Sequence, residues 1–322
     1  MKRITSPSFW IPLAAVLALG LWPILTGDDA TREMVFSLLM AIILASSLNI
    51  LLGYTGYVSF GHVVFFGVGG YISMYLMTVL GWHLAMGALA GGLAAGLLAY
   101  LLGSAILRLH GAYFALATIG INEAARAFVN AFPPFGGPIG MTLNFRVYNT
   151  YGGAGQALWI SFYVAVGLAL LVVLTSSIVK ESKFGLGLMS IRENEGAAEV
   201  MGVAAPSAKT WAFVLSAVFP GILGALFFFK NANIEPADAF QLQRSIEMIV
   251  MVMLGGLGTV LGPVVGGAGY NGLRSFLIVN PLFKNIQLAV AGALLLIIVL
   301  FVPSGVVGWL RQRFSLLRSL LE

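Results

Sequence analysis

The sequence predicts an all-α fold, a polytopic transmembrane helix bundle of about ten spans, and three observations predict it. Hydrophobic residues make up 59 % of the 322 and charged residues 9 %, with a mean hydropathy of +0.97, whereas soluble domains carry about 25 % charged residues. The apolar residues gather in runs near the roughly 20 residues that a helix needs to cross a bilayer. The 40 glycines fall largely inside those runs, where small residues let helices approach closely. A soluble globular domain is excluded. With no cysteine in the chain, disulfides, thiolate metal sites and thiol nucleophiles are excluded too. A net charge of +5 follows from loop bias and needs no nucleic-acid partner.

The chain reads as one membrane domain, 1–322, with spans at about 8–26, 33–52, 58–80, 84–107, 112–132, 158–179, 210–229, 245–256, 259–280 and 286–303. The first follows Lys2 and Arg3 but is too long for a signal-peptide core, and GDDAT after it offers no small-residue cleavage site, so it is read as retained. The second and third are divided by the glycine junction LGYTGYV (52–58), and the eighth and ninth by LGGLGTV (254–260). Both junctions share the pattern L-G-x-x-G-x-V, a parallel echo of the kind that marks gating regions in transporters. The fourth span carries Gly87, Gly91 and Ala95, and the ninth Gly258, Gly262 and Gly266, as small-xxx-small packing seams. The eighth and ninth are also readable as one long helix. Glu123 and Arg126, three apart on one face of the fifth span, are placed to pair, and Glu123 is the one carboxylate expected at depth.

Charge sets the orientation. Ten spans put both termini on one side, together with Lys2, Arg3, Arg108, Lys180, Lys183, Arg192, Lys209, Arg311, Arg313 and Arg318. The other side receives Arg32, Arg146, Lys230, Arg244 and Lys284. The positive-inside rule makes the first side cytosolic, and nine spans would erase the bias. The six tryptophans all fall at or near span ends, as an interfacial belt requires. The outer loops 133–157 and 230–244 are candidates for a joint docking face.

Between the sixth and seventh spans, residues 180–209 form a polar island with four basic and four acidic side chains: Lys180, Lys183, Arg192, Lys209, Glu181, Glu193, Glu195 and Glu199. Ser190 with Glu193 predicts a capping box, Ile191, Ala198 and Met201 an apolar helical face, and Glu195 with Glu199 an acidic one. Gly202 is placed to end that helix and Pro206 to prevent its continuation. Within the bundle, Asn49, Thr55, Tyr57, Ser59, His62, Thr118 and Asn122 are the candidates to line a hydrophilic path, each otherwise readable as an interhelical hydrogen-bonding group.

Some chemistries are missing. No G-x-x-x-x-G-K-[ST] string provides a phosphate-cradling loop, and His62, His83 and His110 lie too far apart, without carboxylates, for a metal site. The potassium-channel filter string is lacking as well. No acid, base and nucleophile cluster suggests an enzyme.

Five strings carry a family likeness: SLNILLGYTGYVSFGHVVFFGVGGY (47–71), LHGAYFALATIGINEAAR (109–126), SKFGLGLMSIRENEGAAEVMGV (182–203), MVMLGGLGTVLGPVVGG (251–267) and FVPSGVVGW (301–309). In this order they resemble the branched-chain amino acid ABC importer permeases, and within them the LivM-type subunit, from about residue 40 to 309. The resemblance implies a permease of the bacterial inner (cytoplasmic) membrane that takes leucine, isoleucine or valine from a periplasmic amino-acid-binding protein by alternating access. It implies a LivH-like second permease as heterodimer partner, surrounding membrane lipid, and two cytosolic ABC ATPases that hold the ATP and Mg, none being bound by this chain. It also implies that the island, whose EGAAEVMG resembles the EAA-type coupling loop, docks on an ATPase through Arg192, Glu193, Glu195, Ala197, Ala198, Glu199 and Gly202. Tyr57 stands where the family more often has glutamine, which leaves urea or short-chain amides as an alternative cargo. An ion-coupled secondary transporter is the alternative in mechanism.

Overall fold

The computed structural model describes residues 7–279 and 305–313, and between these only 286, 289, 290, 292, 293 and 296. Most of the tenth predicted span, 286–303, and the charges Lys2, Arg3, Lys284 and Arg318 lie outside the described residues. The regular structure of the described residues is helical, apart from one pair of two-residue strands.

α1 (Pro7–Thr26) leads into α2 (Asp29–Thr55), α3 (Val63–Val79), α4 (Leu84–Ile106) and α5 (Ala112–Ala131). A loop with the short β1 (Met141–Thr142) and α6 (Arg146–Asn149) precedes α7 (Ala154–Glu181), then α8 (Lys183–Glu193), α9 (Glu195–Val200) and α10 (Ala205–Asn231). After β2 (Asn233–Ile234) and α11 (Pro236–Ala239) come α12 (Leu242–Gly255), α13 (Leu261–Val279) and α14 (Gly305–Arg313).

α1, α2, α4, α7 and α10 are long and apolar enough to cross a membrane, and α3 is a shorter apolar helix. α5, α12 and α13 occupy the fifth, eighth and ninth predicted spans but do not meet that measure: α12 has only 14 residues, and polar and glycine residues lower the hydropathy of α5 and α13. Glu247 of α12 is buried and lies 3.5 Å from Arg274 of α13. Glu247 is thus a second carboxylate within a predicted span, so Glu123 is not the one such group expected. Glu123 does pair with Arg126 (3.7 Å), but on a face of α5 that this chain leaves half-exposed.

α2 is the central element. Asp28 caps it by accepting from the N–H groups of Ala30 and Thr31, a carboxylate at a helix N-terminus. Nearly every residue from Val35 to Thr55 is buried. Around it pack α7, α10, α12 and α13, and α10 in turn closes with α3 and α4 to backbone contact. A Cβ on Gly69 would stand 2.2 Å from the Gly221 carbonyl oxygen, and one on Gly91 would stand 2.5 Å from that of Gly69. The fourth-span glycines thus form the expected seam. The eighth and ninth predicted spans are two helices, folded together where Gly255 meets the backbone of Gly262. Gly258 belongs to the turn between them rather than to the ridge on α13.

At the end opposite the polar island, the two long loops are joined. β1 and β2 pair antiparallel, Met141 against Ile234 and Thr142 against Asn233, and the Tyr148 hydroxyl donates to the Phe229 carbonyl. Lys230 at the end of α10 pairs with Glu33 at the start of α2, and Arg244 pairs with Asp238.

Candidate functional site

The island folds as two helices broken at the extended Asn194, not as the one helix expected. Ser182 caps α8 by accepting from the Gly185 N–H (3.0 Å), and Asn194 breaks the run and caps α9 by accepting from Ala197 N–H (3.0 Å). Ser190 is interior to α8 and donates to the Gly187 carbonyl. The predicted Ser190–Glu193 capping box is therefore wrong, because Ser182 and Asn194 sit where the backbone leaves the helical region and Ser190 does not. Gly202 ends the segment as expected, in the left-handed region at φ +90°, where an L side chain is strained. Pro206 then opens α10 at its first turn, a position that loses no hydrogen bond.

Two side chains tie this segment to the bundle. Arg192, at the end of α8, extends Nη1 to the Gly53 carbonyl (2.8 Å). Its side chain fills the space that a Cβ on Gly56 or Gly258 would contest, at 3.3 and 3.0 Å. The two L-G-x-x-G-x-V junctions therefore pack against each other, with Arg192 over both. Asn49 joins them from inside: its Nδ2 donates to the Thr259 carbonyl (3.0 Å) and its Oδ1 accepts from the Gly258 N–H (3.1 Å).

Glu195, the first residue of α9, is the second tie. Its Oε1 accepts from Lys209 Nζ at 2.6 Å, and its Oε2 accepts from the Tyr57 hydroxyl at 3.1 Å. Lys209 Nζ also donates to Tyr57 (2.9 Å) and to the Leu107 carbonyl (2.8 Å), so all three ammonium hydrogens are used, as a buried cation requires. Lys209 is 1 % exposed and lies 4.8 Å above the Tyr57 ring. His110 Nε2 stands 3.3 Å from Glu195 Oε2, an ion pair only when the imidazole is protonated. Burial pushes the Glu195 carboxyl up, but the Lys209 hydrogen bond and charge, with help from Tyr57 and His110, outweigh it and hold the group below its ordinary 4.5. Burial raises the Tyr57 phenol above its ordinary 10.0, which keeps it a donor.

Of the residues expected to face a soluble partner, Glu193, Ala197, Glu199 and Gly202 are exposed, while Ala198 is buried and Glu195 is turned inward. Glu195 and Glu199 therefore do not form one solvent-facing acidic face. Met201, expected on the packed face, is 84 % exposed beside Val200 at 87 %. These two apolar side chains form the uncovered tip of the segment, which spacing alone missed because Asn194 restarts the helical phase.

The seven path candidates divide. Tyr57 belongs to the tie just described, Asn49 to the junction, and Thr55 donates to the Leu51 carbonyl of its own helix (2.7 Å). Of the other four, Ser59 and His62 lie in the α2–α3 turn, and Thr118 and Asn122 on the buried face of α5. Thr118 accepts from the Phe60 N–H (3.1 Å), Asn122 donates to the Phe240 carbonyl (2.9 Å), and His62 Nε2 faces the Ser216 carbonyl (3.0 Å). His62 Nδ1, Asn122 Oδ1 and Ser59 Oγ are buried without a partner. Two of the cavities among the described residues, each of about 540 Å³, flank α4, and none of the seven lines either. One is an apolar groove between α3, α4 and α5; the other lies beside Lys209 at the ends of α4 and α10. Lys209 itself was legible only as one more loop charge, since nothing in its spacing pairs it with a carboxylate 14 residues away.

Comparison with known proteins gives a consistent picture. The family described as branched-chain amino acid transport system / permease component matches residues 32–299. The chain is 26 % identical to the high-affinity branched-chain amino acid transport system permease protein LivM of Escherichia coli (strain K12), over 98 % of this chain and 82 % of that protein. It is 25 % identical to LivM of Salmonella typhimurium over the same shares. To the probable branched-chain amino acid transport permease protein LivH of Methanocaldococcus jannaschii it is 24 % identical, over 62 % of this chain and 65 % of that one. No solved structure gives a significant match.

Proposed function

The chain belongs to the family of branched-chain amino acid transport system permease components, and from this premise we propose that it is the multi-pass permease subunit of an ATP-driven importer for leucine, isoleucine or valine. The observation that carries the mechanism is the double attachment of residues 180–209. The segment leaves its Glu199–Val200–Met201 tip uncovered while Arg192 and Glu195 bind it to the bundle.

The tip is the surface that a cytosolic ATPase grips. Movement of α9 then acts through Glu195 on Lys209 of α10 and on Tyr57 of the α2–α3 turn, and through Arg192 on the end of α2 and the α12–α13 turn. One displacement reaches four elements at once. A bundle so linked exchanges between inward- and outward-open packings, and ATP drives the exchange only by binding the two states unequally. ATP and Mg stay on the ATPases. Under the positive-inside orientation the island and both termini lie in the cytosol of a bacterium bounded by its inner membrane, and the β1–β2 platform lies outside, where an amino-acid-binding protein delivers cargo.

The second permease, LivH-like, covers the exposed face of α5. Only Phe114, Thr118, Asn122 and Val129 of this helix are buried in the chain. Its Glu123–Arg126 pair would otherwise face lipid, an expensive place for charge. Tyr57 lies against Glu195 and Lys209 instead of along a path, so its departure from the family's glutamine bears on coupling and gives no support to a urea or amide cargo. The direct test reconstitutes both permeases and both ATPases in vesicles with the binding protein. Leucine uptake that follows ATP is the expected result; uptake that follows an ion gradient without ATP would reassign the chain to secondary transport.

A further inference from the structure

The cavity of about 540 Å³ beside Lys209 is built unlike the apolar groove on the other flank of α4. Its walls come from the last turn of α4, the 107–111 loop and the first turn of α10. The lining contains a single carboxylate, Glu195, and both its oxygens are already engaged by Lys209, Tyr57 and His110. Arg108 is exposed on the same wall and has no ion-pair partner among the described residues. An uncompensated guanidinium thus remains, with the exposed Ser207 hydroxyl close by and the N-terminus of the 27-residue α10 opening on the same space. Each of these favours an anion with several acceptor oxygens.

The rim says what kind of anion. Tyr100 and Trp211 are both half-exposed, with ring centroids 5.9 Å apart, the aromatic pair expected at headgroup level. α4 and α10 are both of membrane-crossing length, so their meeting ends lie at the bilayer surface. From the rim, exposed Leu93 and Leu89 continue the Tyr100 face of α4 as a track for an acyl chain. We propose that this cavity binds the headgroup of an anionic phospholipid, with Arg108 as its phosphate ligand and Trp211 at its glycerol level. Because Lys209 and Glu195 form its floor, an occupying lipid rests directly on the tie between α9 and the bundle.

The inference rests on the chain's place in a membrane, not on the transport reading, and its test contains no ATPase or transport step. The full chain is reconstituted in bilayers of phosphatidylcholine with either brominated phosphatidylglycerol or brominated phosphatidylcholine. Quenching of Trp211 is read as the difference between the wild type and Trp211→Phe. The expected result is a preference of about fivefold for phosphatidylglycerol, the weight of one basic residue at a membrane surface. It should vanish in Arg108→Gln and in Ser207→Glu, which sets a carboxylate at the mouth. Arg108 and Ser207 are exposed, so neither change threatens folding. Equal quenching by the two lipids, a preference that survives Arg108→Gln, or displacement of the lipid by millimolar inorganic phosphate would each overturn the proposal.

Discussion

The Lys209 ammonium and the Glu195 carboxylate lie 2.6 Å apart, and this pair joins the first turns of α10 and α9 across the foot of the bundle. Removing one member of a buried pair strands the other. Glu195→Gln or Lys209→Met alone should therefore lower stability by about 3 kcal/mol, whereas the double variant should recover most of that loss. Unfolding midpoints in detergent, compared around the cycle, provide the check.

The pH dependence of this tie follows from its sign. The folded-state Glu195 carboxyl is held below its ordinary 4.5, so its contribution is fully present above that value and is lost as pH falls through the lower folded one. Between about pH 5 and 8 the wild-type unfolding midpoint should owe nothing to Glu195 titration. Below that range, the difference between wild type and Glu195→Gln should shrink. A pH series of the two midpoints measures it.

Val200→Asp and Met201→Asp should behave differently. Both side chains are more than four-fifths exposed, so stability should stay within about 0.5 kcal/mol. An apolar contact at the centre of an interface should nonetheless be lost, and ATPase retention on co-purification should fall by about tenfold or more. Leucine uptake in vesicles should fall with it.

At the glycine junctions, Gly53→Ala would place a Cβ 2.0 Å from Asn49 Oδ1 and 2.8 Å from the Gly258 backbone nitrogen. Overpacking of this kind typically costs about 1–3 kcal/mol. Asn49→Ala removes the same contact without crowding and leaves the Gly258 N–H unpaired, at about 1–3 kcal/mol. Thermal midpoints of both variants, with Gly120→Ala as the control at a glycine open to space, test the junction.

On α5, the double change Glu123→Leu/Arg126→Leu should leave the isolated chain folded, since both side chains are about half-exposed. Its predicted effect is on assembly: capture of the second permease by the tagged chain should weaken. Unaltered capture would move the subunit interface to another face.

Much of the architecture was legible because hydrophobicity is local. Runs of apolar residues, seams of glycine and the charged island are properties of adjacent positions, and they located the long helices α1–α5, α7, α10, α12 and α13 to within about five residues. The strength of the fourth-span seam and the stop at Gly202 were readable for the same reason: a missing Cβ acts on whatever backbone is near. The helix break at Asn194 escaped because its signal, a short polar side chain, competes with the equally plausible Ser190 four positions earlier.

What the chain's order of residues determined by itself is a membrane bundle with one polar segment and no phosphate loop of its own, since burial and bilayer insertion follow from composition along the chain. Only the tertiary structure decided what that segment holds. Glu195, Lys209 and Tyr57 meet because α9, α10 and the α2–α3 turn converge, and Arg192 meets Gly53 and Gly258 because two distant junctions stack. An isolated charge shows its sign in the sequence, but its partner is chosen by the desolvation that packing imposes, which is a property of the folded whole.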